Sequence, residues 1–129
     1  MPTVTDNRDN IKDTKYEVLN KSSFNINFRF VDAITGAAVA PSDVKVYIYV
    51  EGTGTIVNSR DGTNDTGLTT TDTNLVNFNL SPADLTIVET AARGNEIHRV
   101  IFEVQYNAGA DKYIREYIIT IINSLVSVT

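Results

Sequence analysis

The side chains that could perform chemistry in this 129-residue chain are few and widely spaced. His98 is the only histidine, no cysteine is present, and no serine lies in the nucleophile motif of a hydrolase. The alternation of its neighbours places His98 on the same strand face as Val100 and Phe102. A histidine in the core or at its rim is therefore the better interpretation, and no catalytic residue is predicted.

Glutamates are the next candidates, because a pair of carboxylates can hydrolyse a glycosidic bond. The four that could serve are Glu89, Glu96, Glu103 and Glu116. They fall on different predicted elements, and the chain has no tryptophan to line a sugar-binding groove. The glycine-containing loops also match neither a phosphate-binding loop nor a dinucleotide-binding motif. We therefore predict no enzymatic activity and no bound cofactor.

A polar loop over residues 59–73 carries the side chains that best suit a hard metal ion. Asp61, Asn64 and Asp65 offer oxygen ligands of the kind that calcium prefers. Their spacing lacks the regular alternation and the closing glutamate of a calcium-binding loop. Asp61 and Gly62 instead form a typical turn pair, so no metal site is predicted.

Charge and composition argue against two classes of partner. The net charge is −5, and the basic residues are scattered singly, so direct nucleic-acid binding is not expected. No stretch approaches the roughly 20 apolar residues of a membrane span, and the polar N-terminus lacks the apolar run of a signal peptide. We expect one soluble domain, synthesised in a reducing cytoplasm because the chain has no cysteine.

Alternation of apolar and polar side chains is the dominant pattern of the chain. A side-chain period of two is typical of a half-buried strand. The segments with this pattern are 15–19, 23–31, 43–50, 55–58, 74–80, 97–106 and 112–122, with a short edge strand near 67–70. The last two long segments form a predicted hairpin. The pattern predicts an all-β sandwich of about seven to eight strands.

One segment departs from alternation after Ser81. Ser81 is a good N-cap, Pro82 suits the first helical position and Asp84 is an acid near the N-terminus. Leu85 and Val88 recur at helical spacing. These features predict one short helix over 82–92, which would plug an open end of the sandwich.

The ends of the chain differ in composition from the middle. Residues 1–14 are polar and hold almost no apolar surface, so they are predicted to be a flexible N-terminal arm. The arm is either a frayed terminus or a segment that becomes ordered against a neighbouring subunit. The sandwich domain is predicted to cover 15–123, and a C-terminal tail 124–129.

Two groups of side chains form a candidate interface. The last strand is apolar on both faces, so each face must be covered by this chain or by a partner subunit. Tyr47 and Tyr49, one strand step apart, either cover a sheet edge or form a contact surface. The candidate interface residues are Tyr47, Tyr49, Ile114, Ile118 and Ile122.

The order of these segments resembles a known family. The strand, turn and hairpin sequences VDAITGAAVAPSDVKVYIYV, VNFNLSPADL and HRVIFEVQYNAGADKYIREYIITI are similar to the Ig-like β-sandwich modules of tailed-bacteriophage virion proteins. The resemblance covers about residues 15–122. The Cys-Trp-Cys signature of antibody domains is absent, so kinship with true immunoglobulin domains is not implied.

The resemblance implies a structural function in the virion. Modules of this family occur in baseplate and receptor-binding proteins and in capsid decoration, and they supply no catalytic residues. Because the chain is one small domain without fibre repeats, we favour a capsid-surface decoration protein that docks on other virion proteins and forms a homo-oligomer. The alternative is a baseplate, tail or receptor-binding module whose end loops recognise a host glycan or protein.

Overall fold

The computed structural model describes residues 4–8, 15–70, 74–89 and 95–122, and for 4–8 it describes the backbone alone. Within these ranges the chain forms nine strands and no helix. The strands are β1 (Val4–Arg8), β2 (Lys15–Leu19), β3 (Phe24–Asp32), β4 (Asp43–Val50), β5 (Ile56–Asp61), β6 (Leu68–Thr69), β7 (Leu75–Leu80), β8 (Asn95–Tyr106) and β9 (Asp111–Ile122). The all-β class predicted from alternation is confirmed.

The strands form two sheets. The four-stranded sheet has the order β1-β3-β7-β6, and the five-stranded sheet has the order β2-β9-β8-β4-β5. Neighbouring strands are antiparallel with one exception, because β2 runs parallel to the end of β9. The predicted hairpin is present as β8 and β9, paired from Asn95 with Ile122 to Tyr106 with Asp111.

The core lies between the two sheets, where every second side chain of the long strands is buried. Phe102 of β8 is at its centre. Its ring meets the edges of Phe28 and Phe78 from the other sheet at centroid distances of 5.4 and 5.7 Å. It also contacts Tyr117 of β9 at 5.9 Å. These edge-to-face contacts join the two sheets into a sandwich-like fold.

The predicted helix after Ser81 is wrong over 82–89, the part of that segment that the structure describes. The chain makes turns there, with i to i+3 bonds from the Asp84 and Leu85 N–H groups. The next N–H groups bind distant side chains: that of Ile87 donates to Asn20, and those of residues 88 and 89 to Glu96. Since a helix needs those donors for its own carbonyls, these long-range bonds replace it. Leu85 is fully buried, so the segment still closes one end of the core.

Part of the predicted N-terminal arm is paired in this structure. The backbone of β1 pairs antiparallel with β3, from Val4 with Asp32 to Arg8 with Phe28. The rest of 1–14 and the predicted tail at 124–129 lie outside the described residues. The predicted domain boundaries therefore remain a prediction.

Candidate docking surface

The structure places all five candidate interface residues on one surface, the solvent-facing side of the five-stranded sheet, which we call the outer face. Tyr47 and Tyr49 project from β4, and Ile114, Ile118 and Ile122 project from β9. They share this side because the alternate residues of both strands, such as Tyr117, Ile119 and Ile121, are buried in the core.

Strand β8 joins the two groups. Ile101 is directly opposite Tyr47, and Arg99 lies between Tyr49 and Ile118 in register. Ile97 and Ile101 therefore belong to the same surface, although they are not among the five predicted interface residues. The alternation of β8 was the signal that could have found them, since its buried residues were recognised as one face.

Three large apolar side chains remain in water on the outer face. Ile114 is 57% exposed, Leu19, on β2, is 55% exposed, and Ile56, opposite Tyr49 on β5, is 45% exposed. We expected both faces of β9 to be covered. At Ile114, the described part of the chain leaves more than half of the side chain exposed to solvent. Ile118 and Ile122 are half-buried, because β2 and β8 flank them.

Charged side chains are interleaved with the apolar ones. Arg99 pairs with both Glu51 and Glu116, the latter at 2.8 Å. Lys112 pairs with Glu103 at 3.0 Å across the β8–β9 hairpin. Each pair is at least partly exposed, so it adds little to stability but fixes where the charges lie. The outer face therefore presents apolar side chains together with an ordered pattern of positive and negative charges.

Tyr47 is positioned on this face by a hydrogen bond and a close contact. Its hydroxyl donates to a Glu103 oxygen at 3.1 Å. Burial, together with this hydrogen bond and the Glu103 charge, raises the pKa of Tyr47 above its ordinary value. Its ring also lies over Gly62, where an added Cβ would approach the ring to 2.8 Å. The glycine thus leaves room for the tyrosine to lie flat against the turn.

A buried ion pair closes the end of the sandwich beside the turns after Ser81. Arg60 is 1% exposed and Asp84 is fully buried. The guanidinium donates to both Asp84 oxygens, from Nε at 2.9 Å and from Nη2 at 3.0 Å. Asn58 and Ser81 donate to the same carboxylate. Arg60 also stacks on Phe78, with its Cζ 4.9 Å from the ring centroid.

The bulge in β5 explains why an arginine enters the core. Asn58 and Ser59 both have left-handed backbones, with φ of 52° and 57°. These two residues shift the register, so Val57 and Arg60, three positions apart, both face inward. Simple alternation would have placed them on opposite sides. Sequence reasoning missed Arg60 and the role of Asp84 for this reason.

His98 and Glu96 extend the buried cluster. Both are buried, and His98 Nε2 lies 2.6 Å from a Glu96 oxygen. His98 Nδ1 lies 3.1 Å from the backbone oxygen of Asp84. Glu96 also accepts the N–H groups of Val88 and Glu89 at 2.9 and 2.8 Å. These bonds attach the turn segment to β8, and His98 lies in the core, as its strand position predicted.

The two carboxylates of this cluster stay ionised by hydrogen bonding. Burial raises the pKa of Asp84, but the bonds from Arg60, Asn58 and Ser81 outweigh it, so the pKa lies below its ordinary value. Burial likewise opposes the lowering of the Glu96 pKa, which the bonds from Val88, His98 and Glu89 produce. The observed contacts of the cluster connect β5 and β8 to the turns after Ser81.

We expect the free energy of unfolding to fall as the pH is lowered through about 4. The pKa values of Asp84 and Glu96 are lower in the folded state than in the unfolded chain, so the unfolded chain takes up protons first. Their stabilisation is therefore complete above the unfolded pKa values and is lost as the pH falls toward the folded ones. Chemical denaturation between about pH 7 and about pH 3 measures this slope.

The control for this prediction is Glu96→Gln, which removes one of the two titrating groups. Its stability should be lower at neutral pH and should decline less steeply with acid than that of the parent. A slope equal to the parent's would show that Glu96 does not contribute to the acid sensitivity.

In the described part of the polar loop, residues 59–70, the candidate metal ligands bond to neighbouring residues. The Asp61 carboxylate accepts from Thr63, and the Asn64 side chain bonds to Asn58 and Thr66. Across the described ranges no group of three or more His, Cys, Asp or Glu is placed to hold a metal ion. The same ranges contain no helix of a length and apolarity suited to crossing a membrane.

No protein-family model matches the chain, and no curated protein sequence matches it.

Proposed function

We propose that this chain is a structural protein of a tailed-bacteriophage virion, and most specifically a capsid-surface decoration protein. It acts by docking on other virion proteins and not by catalysis. The observation that carries the proposal is the outer face, where five predicted interface residues lie together on one side of a sandwich-like fold.

The strand order supports the Ig-like type on which the resemblance rests. Immunoglobulin-type sandwiches have strands A, B, E and D in one sheet and C, F and G in the other, with C′ added beside C in some. With β1 and β3 as A and B, the four-stranded sheet here has the order A-B-E-D. The five-stranded sheet contains G-F-C-C′ as β9-β8-β4-β5, and β2 pairs on the free side of G.

The energetics of the outer face support docking. Leaving a large apolar side chain in water forfeits roughly 1.5–3 kcal/mol relative to burying it. Ile114 is mostly exposed, and Tyr47, Tyr49 and Ile118 are only half-buried. Exposed apolar side chains interleaved with ordered charges are typical of a protein interface.

The proposal predicts that the protein is found in purified virions of the phage that encodes it. We expect it to co-sediment with filled heads and to remain with the head fraction when tails are separated, in a copy number proportional to capsomers. Quantitative mass spectrometry of both fractions measures this. Recovery in the tail fraction would favour the baseplate or receptor-binding alternative, and absence from the particles would refute the proposal.

A matched pair of variants locates the docking surface. Ile118→Asp places a charge at the centre of the outer face, where Lys15 and Arg99 are its neighbours in register and can accommodate the carboxylate. The variant should remain folded and lose most of its attachment to particles. Thr69→Asp makes a similar change at an exposed position of the other sheet and should attach like the parent. If both variants attached to particles equally well, the outer face would be excluded as the docking surface.

A further inference from the structure

Along one edge of the five-stranded sheet, the described residues pair with only half of β9. Strand β2 pairs with β9 from Ile118 to Ile122, and no strand in the described ranges pairs with that side of 111–117. The Asn20 N–H donates to the Ile122 carbonyl on the β2 side. Because backbone groups alternate in direction along a strand, those of Lys112, Ile114 and Glu116 point outward from the open edge. Such an edge is a template for pairing with another strand.

The side chains of the open edge are self-complementary. Ile114 is the midpoint of 111–117 and is mostly exposed. If a second copy pairs antiparallel over the whole open stretch, Ile114 must face Ile114 of the second copy. Lys112 then faces Glu116 of the second copy, and Glu116 faces its Lys112. An apolar pair is thus flanked by two pairs of opposite charge, an arrangement that stabilises antiparallel strands.

We propose that two copies of this chain associate by antiparallel pairing of 111–117 about a two-fold axis at Ile114. The pairing joins the two five-stranded sheets into one continuous sheet. The inference rests on the strand edge and the charges beside it, and not on the proposed function. The partner is a second copy because the edge complements itself in this single register.

The charges already ordered in one copy extend this complementarity. Lys112 is bound to Glu103, and Glu116 is bound to Arg99. Across the two-fold axis these pairs line up as an alternating row, from Glu103 and Lys112 of one copy to Glu116 and Arg99 of the other. A register shifted by two residues would set Lys112 against Ile114 and would lose the row. The charges therefore oppose other pairings of the edge and favour this one.

The first test is the mass of the protein in solution. A pairing of this length buries little surface, so we expect a concentration-dependent dimer rather than a permanent one. Sedimentation equilibrium over a concentration series up to about 1 mM should show a monomer–dimer equilibrium. A parent protein that remains monomeric throughout that series would overturn the proposal.

The second test compares two equivalent substitutions on the outer face. Ile114→Lys places two ammonium groups opposite each other at the axis and should weaken the dimer at least about tenfold. Leu19→Lys changes a side chain of nearly equal exposure on the same face, away from 111–117, and should leave dimerisation unchanged. Circular dichroism and thermal unfolding confirm that both are folded. Equal effects, or no effect, of the two substitutions would contradict edge pairing.

The third test is a charge reversal. Lys112→Glu and Glu116→Lys each create two repulsive pairs across the axis and should each weaken the dimer. The double variant restores opposite charges across the axis, but it sets each new charge beside a like charge of its own copy, at Glu103 and Arg99, so it should recover only part of the affinity lost by either single change. A double variant weaker than both single variants would exclude this register. Particle attachment of these variants is a separate measurement, so failure of dimerisation does not decide the proposed function.

Discussion

Replacing Asp84 by alanine is expected to lower the free energy of unfolding by about 3–5 kcal/mol. The change leaves the Arg60 guanidinium buried without its counter-charge, since both of its Asp84 contacts are lost. Asn58 and Ser81 also lose the acceptor that they share. A loss of this size is a large part of the total stability of a small domain. Urea denaturation followed by circular dichroism measures it.

The control is Asp65→Ala, which removes an exposed carboxylate from the neighbouring loop. Its effect should stay within about 0.5 kcal/mol. If Asp84→Ala unfolds the protein completely, Arg60→Met provides the same comparison from the other partner, with its methionine able to stack on Phe78. Should Asp84→Ala be as mild as the control, the ion pair would have no net structural role.

The strands are predicted well because the alternation of apolar and polar side chains shows directly which residues are buried. In β4, Val44, Val46, Ile48 and Val50 are buried, and the intervening residues lie on the outer face. Every predicted strand is present, with ends shifted by up to three residues. The outer face could be predicted for the same reason, since burial on one side of a strand fixes what the other side presents.

The helix prediction failed because it used local signals alone. The Ser81 N–H does donate to the Asp84 carboxylate, which is one half of a capping box. The outcome was decided by Asn20 and Glu96, far away in sequence, which take the N–H groups that a helix would have used. Tertiary hydrogen bonds here outweigh a helical tendency that is only marginal in a short segment.

Except for the β8–β9 hairpin, the pairing partners could not be predicted from sequence patterns. Nothing in the composition of β2 indicates that it runs parallel to β9 or that it ends its pairing at Ile118. The bulge that turns Arg60 inward depends on two residues with left-handed backbones, Asn58 and Ser59. Serine seldom adopts this conformation, so its presence in the sequence does not predict the bulge. The open edge and the buried ion pair therefore appear only in the structure.

Phe102→Ala is expected to cost about 3–5 kcal/mol, because the ring is fully buried and its removal leaves a cavity between the sheets. Phe28 and Phe78 of the facing sheet would lose their edge contacts with it, as would Tyr117 on the neighbouring strand. Denaturant unfolding of the variant measures the loss.

The matched control is Phe24→Ala, which deletes the same side chain at a half-buried position beside Tyr16. Its cost should be clearly smaller, because solvent already reaches that ring and less apolar surface is removed from contact. If both variants lost the same stability, the contacts at Phe102 would not be what holds the two sheets together, and the core would have to be held mainly by the aliphatic residues around them.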